Sequence, residues 1–251
     1  MTITTEEELE KLKAIGRIVA KTLDRMAAAL QPGITTAELD DIGARCFAEA
    51  GARSAPRVTY DFPGATCISV NEEIAHGIPG PRVIAAGDLV NIDVSAEKDG
   101  IFADMGASYA VPPVTPAAMR LCRDGRKAMW TGIRAVKSGG PLAEIGNAIG
   151  KFADKNNYTL IRNLASHGIG YSLHDEPGEI PTWPDRSERR RIADGLVFTI
   201  EPFLSLGGRM AAEKDRHDEW TLVSQPRALT VQYEHTIVAT RHGPVVVTLA
   251  A

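Results

Sequence analysis

The chain has 251 residues, 44% hydrophobic and 24% charged, an ordinary globular composition that can bury a core without disulfides or a structural metal. A net charge of −4 and the absence of a basic stripe exclude a nucleic-acid-binding class. No apolar run approaches the ~20 residues of a membrane span, Met1 to Glu10 does not read as a signal peptide, and the three cysteines (Cys46, Cys67, Cys122) form no CxxC pair, so a cytoplasmic protein with reduced thiols is expected.

Residues 5 to 30 predict a helix, with Leu9, Leu12, Ile15, Ile18, Val19, Leu23 and Met26 at three- and four-residue steps and Pro32-Gly33 ending it. Thr35 opens a second helix, with Glu38 as its capping-box partner, which stops near Gly51. Residues 56 to 110 lose helical period. Strand-like runs appear at Thr66 to Val70, Leu89 to Val94 and Ile101 to Val111, the last two joined by the hairpin signal Glu97-Lys98-Asp99-Gly100.

The order then repeats. Thr115 caps a helix that has Pro116 at its first position and runs to about Val136, and a further helix follows from Leu142 to about Lys155. Strands are expected at Val197 to Ile200, Trp220 to Val223, Thr230 to Ala239 and Val245 to Thr248. Thr36-Ala-Glu-Leu39 faintly matches Leu142-Ala-Glu-Ile145, and we read an internal duplication within a single domain, residues 1–251. The basic run Arg186, Arg189, Arg190, Arg191 reads as a solvated turn.

Asp93 and Asp104 lie in β-runs flanking one hairpin turn. Two carboxylates brought together in an apolar setting resist ionisation, and a cation between them removes that cost. For this pair alone, two hairpin acids facing water is the better reading. His167 lies in Ser166-His167-Gly168-Ile169-Gly170, followed by His174-Asp175-Glu176-Pro177; the glycines imply close backbone approach or unusual dihedrals. A histidine here is a metal ligand or a structural residue. Glu201 and Glu234 sit in strands rich in Val, Ile and Phe, and each needs a partner if buried. An arginine or simple exposure would serve as well. Together the set is more specific. Two Asp and two Glu balance two divalent cations, which can hold a hydroxide and polarise a carbonyl when ~3.5–4 Å apart. Oxygen donors with one imidazole suit Mn, Fe(II), Co or Zn.

Five segments in order then carry a resemblance: Cys67 to Glu73 with His76-Gly77-Ile78-Pro79; Gly87 to Val94; His167 to Gly170 with His174 to Pro177; Phe198 to Pro202; and Tyr233-Glu234-His235-Thr236. With them the chain resembles the type I methionine aminopeptidases over nearly its whole length. The resemblance implies the pita-bread α/β (α+β) fold, two pseudo-symmetric halves each with two helices packed on antiparallel strands, around two divalent metal ions. It implies Asp93 on one metal, Asp104 and Glu234 as bridges, and His167 and Glu201 on the other metal. Glu201 would also carry the proton of the attacking water. His174 would meet the scissile carbonyl and His76 the peptide backbone. Cys67, Phe62, Tyr60 and Trp220 are candidate walls of the slot for the substrate side chain. The implied substrates are peptide or nascent-protein N-termini, with the ribosome a candidate partner and a monomer the expected state.

The chain departs from the family pattern at Ser166, at Val58-Thr59-Tyr60-Asp61, at Met105-Gly106 and between Gly207 and Trp220. These departures are expected to lie near the ligands or the slot, where they would shift specificity. An Xaa-Pro peptidase of the same fold is the first alternative, although such proteins usually carry a further N-terminal domain. A non-catalytic binding protein is the second, although such relatives typically lose ligands.

Overall fold

In the computed structural model, which describes residues 1–250, helix α1 (Glu6–Ala29) starts at a capping box. Thr5 Oγ1 accepts from the Glu8 amide at 3.2 Å and Glu8 Oε2 accepts from the Thr5 amide at 3.1 Å. The expected apolar stripe is the buried one, with Leu12, Ile15, Val19, Leu23 and Met26 inside. Helix α2 (Thr36–Ala50) repeats the device with Thr35 and Glu38 and ends on Gly51, whose φ of 62° is the left-handed C-cap that glycine supplies.

The chain then forms β1 (Arg53–Ser54) and a short helix, α3 (Ala55–Tyr60). No helix is expected there from periodicity, because six residues are too few to show a period. The local signal is Ser54, whose hydroxyl caps the Arg57 amide, followed by Pro56 in the first turn. Strands β2 (Cys67–Val70), β3 (Glu73–Ala75), β4 (Leu89–Lys98) and β5 (Ile101–Ala110) follow. β4 and β5 form the expected hairpin, with Asp99 (φ 54°) and Gly100 (φ 79°) both left-handed at the turn.

Helices α4 (Pro116–Ala135) and α5 (Ala143–Lys155) come next, the first capped by Thr115. The remaining strands are β6 (Thr159–Leu160), β7 (Ser166–Gly168), β8 (Asp175–Ile180), β9 (Val197–Ile200), β10 (Phe203–Ser205), β11 (Met210–Asp215), β12 (Asp218–Gln225), β13 (Thr230–Gln232), β14 (His235–Thr240) and β15 (Gly243–Val246). The expected strand Thr230 to Ala239 is thus broken at Tyr233-Glu234. The basic run is more than a solvated turn, because Arg190 donates to the Pro177 and Glu179 carbonyls and pairs with Glu188, tying down β8.

In the first half, β1, β4, β2 and β5 make one antiparallel sheet, with α1 packed on β4 and β5. In the second half, the largest sheet has the order β15-β14-β9-β7-β8, and α4 packs on β9, β15 and α5. One hydrophobic core runs through both halves, from Leu12 and Ile92 to Ile149 and Phe198. The halves meet where β5 touches the start of β14: the Asp104 amide donates to Thr236 Oγ1 at 2.9 Å and the Glu234 amide donates to the Gly106 carbonyl at 2.9 Å. No helix among the described residues is long and apolar enough to cross a membrane.

Candidate active site

Strand register brings the four carboxylates together. In the β4–β5 hairpin Asp93 pairs with Gly106 and Ser95 with Asp104, so Asp93 and Asp104 are diagonal neighbours on one face. In the second half, His235 pairs with Ile200 on one side of a break and Gln232 with Phe203 on the other. Both ladders hold the same register, which sets Glu201 opposite Glu234 in the gap between them. All four carboxylates and His167 line one cavity of about 310 Å³.

His167 enters from β7. Its Nδ1 lies 2.9 Å from the Gly168 carbonyl oxygen. A carbonyl can only accept, so Nδ1 carries the hydrogen and Nε2 presents a lone pair to the cavity. The Gly168 position is required by close approach: a Cβ there would stand 2.2 Å from the Glu176 carbonyl oxygen. Burial, then the neighbouring His174, pushes the His167 pKa down to about 3, which leaves the ring neutral.

The carboxylates are pushed the other way. Burial raises Asp93 to about 6, against a hydrogen bond with Asp104. Burial followed by the charge of Glu234 holds Asp104 well above the carboxylate range, burial followed by Glu201 does so for Glu234, and burial followed by Asp104 does so for Glu201. The protein supplies few compensating donors. Thr199 Oγ1 donates to Glu201 Oε1 at 2.8 Å and Gln232 Nε2 donates to Glu234 Oε2 at 2.8 Å. Asp104 Oδ1 and Glu234 Oε1 are buried without any partner. Donor atoms of Asp104, His167 and Glu234 all lie within 4.8 Å of one another. Orphaned carboxylate oxygens, a neutral imidazole aimed at them and four acids in one cavity fit divalent metal.

His76 and His174 open into the same cavity. Burial, then the neighbouring His174, takes His76 down to about 4, and burial lowers His174. His76 has a φ of 54°, a left-handed conformation unusual for a non-glycine residue. The expected wall residues Tyr60, Phe62, Cys67 and Trp220 all line the cavity. Phe62 meets Trp220 edge to face at 5.2 Å between centroids. Cys67 pairs with Asp93 across β2 and β4.

Residues 10–241 match metallopeptidase family M24. The chain belongs to that family. It is 43% identical over 249 residues to a methionine aminopeptidase of Staphylococcus epidermidis, spanning 99% of this chain and 98% of that one. It is 41% identical to methionine aminopeptidase 2 of Bacillus subtilis, spanning 99% of each chain. Its fold matches the crystal structure of methionine aminopeptidase from Rickettsia prowazekii with a TM-score of 0.93 at 35% identity, covering 99% of this chain and 100% of that one. The expected pita-bread α/β fold is therefore the observed one.

Three departures of this M24 chain from the expected pattern, Met105, Asp61 and Ser166, are each next in sequence to a residue that lines the cavity but do not line it themselves. Met105 pairs with Val94 on the face opposite Asp104 and packs against the core. Asp61 stands where the chain leaves α3 with φ 56°, a conformation that aspartate tolerates better than most residues. Ser166 uses its hydroxyl to accept the Glu201 amide at 3.0 Å, bracing a site strand from behind.

Supporting residues of the M24 site follow a rule that was available in the sequence. Side chains two apart on a strand share a face. Asn91 and Ser95 flank Asp93 at that spacing, Thr199 precedes Glu201 and Gln232 precedes Glu234. Asn91 Nδ2 donates to Gln232 Oε1 at 2.9 Å, and Gln232 in turn holds Glu234. Sequence reasoning missed these residues and the apolar wall residues Leu164 and Phe203. Phe203 adjoins the Glu201-Pro202 segment, but nothing local marks Leu164.

Proposed function

We propose that residues 1–251 act as one catalytic unit, a two-metal aminopeptidase that removes N-terminal methionine when the next residue is small. The observation that carries this reading is one cavity lined both by the carboxylates and histidines and by Phe62, Cys67, Trp220, Leu164 and Phe203. A reactive centre and an apolar wall thus share one cavity. The full-length methionine aminopeptidase relatives support the substrate assignment.

Asp93, Asp104, His167, Glu201 and Glu234 would together hold the two metals. Bound Co, Mn, Fe or Zn supplies Lewis acidity and makes water more acidic. The remaining steps belong to side chains. Glu201 takes the proton of the attacking water and delivers it to the leaving amine; Thr199 holds one of its oxygens at 2.8 Å for that exchange. His174 donates to the scissile carbonyl oxygen, and His76 contacts the peptide backbone. The methionine side chain enters the slot, where aromatic rings meet its sulfur favourably. Peptide and nascent-protein N-termini are the substrates, in the cytoplasm, and the ribosome is where nascent chains would be met.

The test is a panel of Met-Ala-Xaa, Met-Val-Xaa, Leu-Ala-Xaa and Ala-Pro-Xaa peptides with added Mn or Co. Fast release of methionine from Met-Ala-Xaa alone is expected. Preferential cleavage of Ala-Pro-Xaa would replace the reading with an Xaa-Pro peptidase, and a metal-loaded protein that cleaves nothing would replace it with a binding protein.

A further inference from the structure

One contact at the cavity mouth joins the two halves of the chain. The Tyr60 hydroxyl lies 2.5 Å from Nδ1 of His174, with the ring centroids 5.6 Å apart. Tyr60 is the last residue of α3, and His174 directly precedes β8. Both sides of the contact are braced. The left-handed turn at Asp61 is closed by its amide donating to the Arg57 carbonyl at 3.1 Å. Ser172 Oγ donates to the His174 carbonyl at 2.8 Å, and the His174 ring lies against His167 with centroids 4.2 Å apart.

A slot wall needs only an apolar ring. Tyr60 is 42% exposed whereas Phe62 is 3% exposed, so Phe62 supplies the apolar face and the directed feature of Tyr60 is its hydroxyl. A neutral imidazole has one N–H and one lone pair, so the partner of one nitrogen decides the role of the other. Burial raises the Tyr60 phenol, so it keeps a proton to give. With Nδ1 accepting that proton's hydrogen bond, Nε2 is left as the N–H nitrogen.

We propose that Tyr60 is a positioning residue whose hydroxyl donates to Nδ1 of His174, holding the tautomer in which Nε2–H donates to the scissile carbonyl oxygen. The proposal rests on the role given to His174 above and replaces the wall role expected for Tyr60.

Two measurements test it. Nitrogen NMR of zinc-loaded protein labelled in histidine, with His174 assigned by its loss in His174→Ala, reads the tautomer directly. The Nε2–H form is expected in the native chain and a mixture of forms in Tyr60→Phe. An Nδ1–H form in the native chain, or the same form in both proteins, overturns the proposal. In peptide kinetics Tyr60→Phe, which keeps the ring, is expected to lower kcat roughly tenfold with KM nearly unchanged, the scale of one lost hydrogen bond. In a His174→Ala background the same substitution is expected to change nothing further. A Tyr60→Phe enzyme with native kcat, beside a Tyr60→Ala enzyme with raised KM, would restore the wall role. If His174→Ala impairs turnover while Tyr60→Phe does not, Tyr60 alone has been misread. If His174→Ala turns over normally, the role of His174 falls and this proposal with it.

Discussion

Nε2 of His167 lies 3.3 Å from Oε1 of Glu201 while the other imidazole nitrogen donates to the Gly168 carbonyl. A lone pair therefore faces a carboxylate across a buried gap. Two acceptors in contact are unfavourable unless a proton or a cation lies between them. The orphaned oxygens of Asp104 and Glu234 repeat the same demand a few ångströms away.

Glu201→Gln keeps the shape of the side chain and removes its capacity to take a proton. Its kcat on Met-Ala-Xaa is expected to fall by about 10²–10⁴, the range of a positioned acid–base group. Circular dichroism and thermal unfolding should stay near native, because Thr199 can still hydrogen-bond the amide oxygen.

Gln232→Ala removes the donor that steadies Glu234 and takes from Asn91 Nδ2 one of its acceptors, leaving it Ser108 Oγ and the carbonyl of residue 232. Metal affinity measured by calorimetry is expected to drop roughly 10–100-fold, as for other groups that orient metal ligands. Gly106→Ala is expected to weaken metal binding in the same way, because its new methyl carbon would stand 2.2 Å from Gln232 Oε1 and displace that side chain.

These two positions mark what a sequence can and cannot disclose. The capping boxes at Thr5 and Thr35 and the β4–β5 hairpin were legible, because each depends on residue type at short spacing, whereas the five candidate ligands, spread from Asp93 to Glu234, were proposed from charge balance and the family resemblance. The strand period could have found Thr199 and Gln232, which were missed. What stayed hidden depends on contacts between distant segments: the Glu201–Glu234 pairing across a broken ladder, the Ser166 brace on the Glu201 amide, and Tyr60 over His174. Departures such as Met105 read as site changes only until the strand register placed the side chain on the far face.

Asp124 is buried at the side of α4, where a hydrogen bond from Arg123 outweighs burial and, with the Tyr158 hydroxyl at 3.0 Å, holds its pKa below the usual value. A depressed folded pKa means that its stabilisation is full above the unfolded value near 3.9 and is lost as pH falls through the folded value. Asp124→Asn is expected to be less stable than the native chain by roughly 1–2 kcal/mol at pH 7, as for hydrogen bonds to a charged group. In urea unfolding that gap should narrow as pH falls below the unfolded value and close once pH lies below the depressed folded value, where the native carboxyl is also neutral.

Cys67 lines the slot, yet burial and then the charge of Asp93 push its thiol well above the ordinary range. The thiolate is the reactive form and the side chain is buried, so slow alkylation is expected although Cys67 lines the cavity. Peptide mapping after iodoacetamide treatment of the folded protein at pH 7.5 should find Cys67 unmodified and find it labelled after unfolding.

On the proposed reading, Asp93, Asp104, His167, Glu201 and Glu234 together hold two metals. Equilibrium dialysis against Mn followed by elemental analysis counts the ions per chain directly. Two ions per native chain, and at most one in a folded Asp104→Ala variant, is the predicted result. Saturation of the native chain at one ion or none, or a stoichiometry that Asp104→Ala leaves unchanged, would contradict it.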